Sequence, residues 1–334
     1  MKNLKTLFLT FFVIILLAFF SCKSNKQNNN NADNNIEKEI EQTVTEMSVE
    51  ADSLTIYGTL VTPTQKQTFP VVLIIAGSGP TDRDGNNKLG VSAKPYKMLS
   101  DTLIKYGIAT LRYDKRAVGQ SYSSNIIEKD LRFDDYVNDA ILWVEELKKD
   151  ERFSKVIVLG HSEGSLIGII ASNKSDADAY ISVAGLAKSA DSLLMEQLTA
   201  MPNVTKEEVS QILEKIRNNE LAVVKNPDLQ SIFRFSVQPY ISSWIAYLPK
   251  EEIAKLTIPT LIIHGTTDIQ VDVSEAEKLA KASSNSKLVI IDGMNHILKN
   301  APADTLKNSA TYTNSKLPLN NKFCEEIVSF VNSL

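Results

Sequence analysis

The segment VIVLGHSEGSLIG, residues 156–168, joins a run of apolar residues to a stretch with three glycines, of which Gly160 and Gly164 flank Ser162. The apolar run is typical of a strand buried on both faces of a sheet, and the residues after the serine have the composition of a buried helix. Gly160 and Gly164 leave room for a strained backbone and for close packing of helix on strand. The segment therefore predicts a strand, a very tight turn with Ser162 at its apex, and a helix.

The alternation of strands and helices continues on both sides of this segment. Further strands are predicted for LTIYGTLVTP, FPVVLIIAG, IATLRYD, ADAYISVAG, IPTLIIHG and SKLVIIDG. Apolar residues at helical spacing predict helices for YKMLSDTLIKYG, DDYVNDAILWVEELKKD, SEAEKLAKAS and NKFCEEIVSFVNSL. Strands that alternate with helices form mostly parallel sheets covered on both faces, so residues 49–334 are predicted to form one α/β domain.

One region interrupts this alternation. Between about residues 188 and 255 the segments look helical or irregular, and no buried strand lies among them. Helices placed over the carboxyl ends of parallel strands usually shape a pocket, so we interpret this region as a helical lid. The alternative is an insertion that has only a structural role at one edge of the sheet.

The N-terminus has the features of an export signal. Lys2 and Lys5 precede the apolar run 7–20, which is shorter than the roughly 20 residues of a membrane-spanning helix. A small residue and Cys22 follow, and this pair resembles the cleavage box of bacterial lipoproteins, in which the cysteine becomes the lipidated first residue. We predict a signal peptide over residues 1–22 and a protein held at the cell envelope through lipid alone. An uncleaved anchor or a plain signal peptide is the alternative.

Residues 23–48 are rich in asparagine and charge and lack apolar periodicity. Such a composition buries too little apolar surface to offset the entropy lost on ordering. It therefore predicts a flexible tether, which suits a folded domain held away from a membrane.

The overall composition excludes several classes of function. The 334 residues are 43% hydrophobic and 23% charged with a formal net charge of -4, as in an ordinary globular protein. Slight acidity without a recurring basic stripe gives no support for a nucleic-acid partner. The two cysteines are too few for a zinc cluster or a disulfide framework, and with Cys22 lipidated Cys324 has no partner.

The serine lies in a known catalytic motif. The sequence GHSEG, residues 160–164, matches G-x-S-x-G in the strand–turn–helix context that a nucleophile elbow requires. In these features the chain resembles the α/β-hydrolase superfamily, over about residues 49–334. The resemblance implies that Ser162 is a nucleophile activated by a base, which an acid orients. The dehalogenases of the superfamily carry aspartate at this position, so the serine argues against that reaction.

The choice of base is narrow because the chain has three histidines. His296 lies in a loop between the last strand and the final helix, where the superfamily places its base, and we assign it that role. His161 adjoins the serine and is expected to point elsewhere. His264 ends the strand TLIIHG and is expected to support packing or a loop.

The acid is predicted from a second resemblance. Asp268 ends the segment HGTTD, which resembles the H-G-x-x-D segment that carries the acid of the superfamily. The order Ser162, Asp268, His296 is also that of the superfamily. Asp272 and Asp292 are the rival acids. Asp272 lies farther into the next segment and Asp292 is close enough to His296 to serve the turn, so Asp268 is preferred.

Two backbone donors are needed to hold a tetrahedral oxyanion. One is the amide of the residue after the nucleophile, Glu163. The other is expected in GSGPTDRDGN, residues 77–86, which looks like the oxyanion loop of a set of bacterial serine carboxylesterases, some of them peptidase-like. In the superfamily the amide after the first glycine commonly donates, which indicates Ser78, with Gly79 as the alternative. The charged residues of the loop are interpreted as structural: Asp82, Arg83 and Asp84.

A further segment, RYDKRAVGQS, resembles the post-strand D-x-R-G-x-G-x-S of the superfamily. Asp114 and Arg116 are interpreted as structural here. Ala117 stands where glycine is usual, so we expect the local backbone to differ.

Taken together, these residues imply acyl transfer to water without a metal or organic cofactor, which is the chemistry of a serine carboxylesterase acting on a small ester. A peptidase with the same triad is the nearest alternative, since Glu163 beside the nucleophile could anchor a substrate amino group. A lipid-anchored binding protein with a vestigial hydrolase fold is a third. Specificity lies in the pocket and lid, where three aromatic residues could line an acyl pocket or form core: Tyr240, Trp244 and Tyr247.

Overall fold

The computed structural model describes residues 41–52, 54–64 and 68–334. Their strands form one eight-stranded sheet in the order β1-β2-β4-β3-β5-β6-β7-β8. β2 is antiparallel to both of its neighbours, and every pair from β4 to β8 is parallel. The bounds are β1 (Gln42–Ala51), β2 (Leu54–Pro63), β3 (Phe69–Ile75), β4 (Ala109–Tyr113), β5 (Phe153–His161), β6 (Ala179–Val183), β7 (Thr260–Gly265) and β8 (Ser286–Ile291).

Helices cover both faces of the sheet, with α1 and α11 on one face and α2, α3 and α9 on the other. The α-helices of the described residues are α1 (Pro95–Leu103), α2 (Phe133–Lys148), α3 (Glu163–Asn173), α4 (Ala190–Thr199), α5 (Lys206–Arg217), α6 (Pro227–Gln230), α7 (Gln238–Ile245), α8 (Pro249–Ile253), α9 (Val273–Ala282), α10 (Thr305–Ala310) and α11 (Asn321–Asn332). The α/β class predicted from the alternation of apolar patterns is confirmed.

The central strand β3 shows why the sheet is apolar throughout. Val71, Leu73 and Ile75 face the cluster under α2 and α3, whereas Val72 and Ile74 face the cluster under α1 and α11. All of them are fully buried. Because successive side chains of a strand point to opposite faces, a sheet with two cores needs an apolar residue at every position.

The folded domain begins earlier than the sequence predicted. β1 pairs with β2 along its whole length, from Gln42 opposite Pro63 to Ala51 opposite Leu54. The tether predicted over residues 23–48 was therefore wrong at its C-terminal end. β1 is an edge strand, and most of its side chains are exposed, so it lacks the apolar content by which a buried strand is recognised.

The predicted signal peptide, its Cys22 and most of the predicted tether lie outside the described residues. Over 41–52, 54–64 and 68–334, no helix has the length and apolar character needed to cross a bilayer. Cys324 is a buried free thiol on α11.

The predicted helical insertion contains α4 to α8, between β6 and β7. It has an apolar cluster of its own. Aromatic contacts attach it to the main domain, because Phe133 of α2 stacks on Trp244 of α7 with ring centroids 6.2 Å apart. Tyr240 and Tyr247 also pack against Phe133. These aromatic side chains therefore contribute to packing between the insertion and α2.

Candidate active site

The turn between β5 and α3 has the strained geometry that its glycines predict. Ser162 at the apex has φ of 56° and ψ of -121°, a conformation that L-residues rarely adopt. A Cβ on Gly160 would lie 2.1 Å from Gly164 O, and one on Gly164 would lie 2.5 Å from Ile75 O. The Ser162 amide donates to Val183 O at 2.9 Å. Close packing of strand and helix thus holds Ser162 at the carboxyl end of the sheet.

The predicted acid and the predicted base are hydrogen-bonded to each other near this turn. His296 Nδ1 lies 2.7 Å from Asp268 Oδ2, and both side chains are buried. Asp268 Oδ1 accepts the amides of Gln270 at 2.7 Å and Val271 at 3.0 Å. Burial raises the pKa of Asp268, but the nearby His296 and these hydrogen bonds outweigh it and lower the pKa below its ordinary value. An ionised Asp268 keeps a proton on His296 Nδ1 and leaves Nε2 free to accept one.

The rival acids have other partners. Asp272 caps α9, where its carboxylate accepts the Ser274 amide at 2.9 Å. Asp292 accepts a hydrogen bond from Thr266 Oγ1 at 2.9 Å. The structure therefore places Asp268, among the three predicted acids, on the imidazole of the predicted base.

His264 supports the loop that carries Asp268. Its Nε2 donates to Val271 O at 3.0 Å and lies 3.5 Å from Asp268 Oδ2. Burial lowers the pKa of His264, so the ring is neutral near pH 7 and has one proton to donate. This matches the loop-supporting position expected from the sequence.

His161 was expected to point elsewhere, but it lies within the site. Its Nε2 is 2.8 Å from His296 O, and its Nδ1 is 2.8 Å from the hydroxyl of Tyr96, which in turn accepts the Gly77 amide at 3.1 Å. Since a carbonyl can only accept, Nε2 carries the proton and Nδ1 accepts from Tyr96. Burial and the nearby His296 lower the pKa of His161 to about 3. A neutral imidazole thus links the predicted oxyanion loop to the loop of the predicted base.

No hydrogen bond joins the predicted nucleophile to the predicted base within the described residues. Within the described residues Ser162 Oγ has no hydrogen-bond partner, and its side chain is half-buried. His296 is held against the elbow through His161, with the two imidazole centroids 4.8 Å apart. Serine–histidine hydrogen bonds are often long in substrate-free enzymes and shorten when substrate binds.

Two free amides lie beside the serine. Gly77 packs so closely on the elbow that a Cβ there would come within 3.2 Å of Ser162 Cβ. Neither the Ser78 amide nor the Glu163 amide donates to another group in the described part of the chain. Glu163 is the first residue of α3, where amides have no partner within the helix. These are the donors predicted for an oxyanion.

The Glu163 side chain is unavailable to a substrate. It is only 5% exposed, its Oε2 lies 3.2 Å from Lys115 Nζ, and its Oε1 accepts the Tyr240 hydroxyl at 2.8 Å. Sequence reasoning missed Lys115 and the polar contact of Tyr240. Lys115 is the second residue after the end of β4, so its position near the carboxyl end of a strand was a usable signal. No signal in the sequence indicated Tyr96.

The charged residues of the predicted oxyanion loop contact other residues of the protein. Arg83 forms ion pairs with Glu46 of β1 at 2.6 Å and with Asp114 at 2.9 Å. Asp84 pairs with Arg112, and Asp82 accepts the amide of Asn86 at 2.8 Å. The loop is therefore fastened to β1, β4 and itself.

The segment after β4 keeps a glycine-type turn. Ala117 has φ of 68°, in the left-handed region that glycine favours, so the alanine does not abolish that conformation. Arg116 Nε donates to the buried Asp139 of α2 at 2.8 Å, which is the structural role expected for Arg116. In the ranges that the structure describes, no cluster of three or more His, Cys, Asp or Glu could hold a metal ion.

Comparison with known proteins identifies the family. A family model described as serine aminopeptidase, S33, matches residues 88–302, more than half of the chain. The chain belongs to this family. The matched part contains Ser162, Asp268 and His296, whereas the predicted oxyanion loop, residues 77–86, lies before it.

Similar proteins include named ester hydrolases. Esterase EstD of Thermotoga maritima is 29% identical over 75% of this chain, and the chain spans 61% of the length of EstD. A monoglyceride lipase homolog of Monkeypox virus is 26% identical over 72% of this chain and 87% of its own length. The structure of Est1E from Butyrivibrio proteoclasticus with ferulic acid covers 85% of this chain and 99% of its own, with a TM-score of 0.56 and 19% identity. The family and this likeness show the α/β-hydrolase fold that the sequence predicted.

The buried neutral His161 gives a testable dependence of stability on pH. Its pKa of about 3 in the folded protein lies below the roughly 6.5 of an unfolded chain, so acid protonates the unfolded state first. From pH 7 to pH 5 this histidine should lower the free energy of unfolding by about 2 kcal/mol. In His161→Gln the free energy of unfolding, measured with urea, should therefore fall less between pH 7 and pH 5 than it does in the wild type. The hydrogen bonds that the substitution removes lower this free energy equally at both pH values, so they do not affect the comparison. Equal pH dependence in the two proteins would contradict a neutral His161.

Proposed function

We propose that the protein is a serine carboxylesterase that hydrolyses small carboxylic esters through an acyl-enzyme. The observation that carries this proposal is the hydrogen bond of 2.7 Å between His296 and a buried Asp268, beside Ser162 on its strained turn. The names of EstD and Est1E, and that of the monoglyceride lipase homolog, support ester hydrolysis as the reaction.

In the proposed mechanism His296 Nε2 removes the Ser162 proton as Oγ attacks the ester carbonyl carbon. The electron pair of the carbonyl moves to its oxygen, and the Ser78 and Glu163 amides hold that oxyanion. When the oxyanion collapses, the bond to the alcohol oxygen breaks and His296 protonates the leaving alcohol. Water then attacks the acyl-enzyme with the same base, and the acid and free Ser162 are released.

Asp268 acts through the imidazole in this mechanism. Its Oδ1 is fixed by two backbone amides, so Oδ2 has a single orientation toward His296 Nδ1. The carboxylate keeps His296 in the tautomer that can accept the serine proton, and it stabilises the imidazolium that forms.

A peptidase reaction is the alternative that the family description raises. The sequence offered Glu163 as an anchor for a substrate amino group, but that carboxylate is buried and paired with Lys115. The amino group of a peptide therefore gains no partner at this position, which favours an ester substrate.

The proposal is tested by activity and by labelling. Purified protein should hydrolyse nitrophenyl esters of two to eight acyl carbons with a higher kcat/KM than aminoacyl nitroanilides, and a fluorophosphonate should add to Ser162 in a peptide-mass measurement. A preference for the anilides would establish the peptidase alternative. No turnover together with no label on Ser162 would establish a non-catalytic binding protein.

We also propose that the protein is exported and anchored through lipid on Cys22. The two lysines, the apolar run and the cysteine that follows support this leader. In a bacterial host, the protein should incorporate radiolabelled palmitate and sediment with membranes, and Cys22→Ser should lose the label. Cys324→Ser is the matched control and should retain it. Equal labelling of wild type and Cys22→Ser would disprove lipidation at this cysteine.

A further inference from the structure

Lys115 is a buried cation with no part in the triad. Its side chain is 3% exposed, and its Nζ donates to Gly77 O at 2.6 Å and to Glu163 Oε2 at 3.2 Å. Nζ also lies 5.4 Å from the centroid of the Tyr136 ring. The shorter of the two hydrogen bonds is to the backbone carbonyl, so the ammonium is held firmly on Gly77.

That carbonyl belongs to the peptide unit that carries the predicted oxyanion donor. Gly77 C=O and Ser78 N–H are the two ends of one planar peptide group, and in a trans peptide they point in opposite directions. An ammonium fixed on the oxygen therefore sets the direction of the Ser78 N–H. It also polarises the group, which makes the amide a stronger donor.

The preceding peptide unit is fixed from the other side of the sheet. The Gly77 amide donates to the Tyr96 hydroxyl, which hydrogen-bonds His161. Burial raises the pKa of Tyr96, so it remains a protonated hydroxyl that can accept from Gly77 and donate to His161. Gly77 is thus held by two hydrogen bonds. Its N–H donates to the neutral Tyr96 hydroxyl, and its C=O accepts from the charged Lys115 ammonium.

Glu163 connects this cation to the helical insertion. Its Oε1 accepts the hydroxyl of Tyr240 on α7, and its backbone amide is the second predicted oxyanion donor. Tyr240 reaches Glu163 while its ring packs on Phe133 and Tyr136 of α2. The Glu163–Tyr240 hydrogen bond therefore requires α7 to be docked on α2.

We propose that Lys115 is a positioning residue that sets the oxyanion peptide Gly77–Ser78, and that Tyr240 acts through Glu163 to make this setting depend on the docked insertion. This inference rests on the proposed esterase function. A buried ion pair that only stabilises the fold does not require the ammonium to donate its shorter hydrogen bond to the peptide group that carries the predicted donor.

The test compares the ester turnover of Lys115→Met and Tyr240→Phe with that of the control variant Lys97→Met. Lys97 forms an exposed ion pair with Asp101. Turnover is divided by the fraction of protein that a fluorophosphonate labels at completion, which removes the contribution of misfolded molecules. A trifluoromethyl ketone, which forms a hemiketal oxyanion on the serine, reports the oxyanion site separately from ester binding.

We expect Lys115→Met to lower kcat per labelled site by about 10- to 100-fold, less than the loss of an entire oxyanion donor. The ester KM should stay within about twofold, and the Ki of the ketone should rise by the same factor as kcat falls. Tyr240→Phe should shift both constants in the same direction by a smaller factor. The double variant should be no slower than Lys115→Met, because the effect of Tyr240 passes through Glu163 to Lys115 and is lost once the lysine is removed.

The proposal is overturned if kcat per labelled site in Lys115→Met equals that of Lys97→Met, or if only the labelled fraction falls. Additive effects of the two substitutions would refute the route through Glu163. Failure of the esterase proposal is separately visible, because wild-type protein would then neither turn over esters nor label at Ser162.

Discussion

Replacement of Ser162 by alanine is expected to lower kcat for a short-chain nitrophenyl ester by at least about 10⁴-fold. The hydroxyl oxygen is the atom that would form the acyl-enzyme in the proposed mechanism. Because Ser162 Oγ has no hydrogen bond within the described residues, its removal should change the free energy of unfolding by less than about 0.5 kcal/mol. Steady-state turnover and urea unfolding of the same preparation provide both measurements.

The matched control for this substitution is Ser192→Ala, an exposed serine on α4. It should retain wild-type kcat. Turnover by Ser162→Ala within tenfold of wild type would remove the serine from the mechanism and leave only the fold assignment.

Asp268→Asn is expected to lower kcat by about 10⁴-fold with little loss of fold. The Gln270 and Val271 amides both point at one oxygen of residue 268, so an asparagine will turn its carbonyl oxygen toward them and its NH₂ toward His296. The imidazole must then accept at Nδ1 and carry its proton on Nε2, the tautomer that cannot take the serine proton. Rates measured across pH 6 to 9 should stay low throughout, since higher pH does not restore the tautomer.

Asp272→Asn is the control for the same chemical change. Asp272 caps α9, and asparagine caps a helix as well as aspartate does, so this variant should keep wild-type activity. A large loss in Asp272→Asn together with normal turnover in Asp268→Asn would transfer the role of the acid to Asp272.

The sequence predicted those parts of the molecule that follow from local pattern. Continuous apolar runs predicted the parallel strands, and the glycines at 160 and 164 predicted a very tight turn. The structure confirms this turn, because a Cβ added at either glycine would lie 2.1 or 2.5 Å from a backbone oxygen. The sequence prediction failed at β1, because an exposed edge strand needs no apolar run and is stabilised by pairing with β2.

The site was predictable only in part, because its polar contacts join segments far apart in the chain. A resemblance in spacing indicated Ser162, Asp268 and His296, but it gave no partner for Glu163. Lys115 lies 48 residues before Glu163 and Tyr240 lies 77 residues after it, and no local periodicity connects them.

By itself, the sequence determined the order of the strands and helices after β1, the elbow and which residue types could perform acyl transfer, since these depend on burial pattern and side-chain chemistry within short segments. Only the tertiary structure decided that the Glu163 carboxylate pairs with Lys115, and that His161 and Tyr96 link the predicted oxyanion loop to the loop of the predicted base. The physical reason is that the packing of the sheet and its helices brings these groups together, and buried polar atoms must then find partners among whatever neighbours that packing supplies.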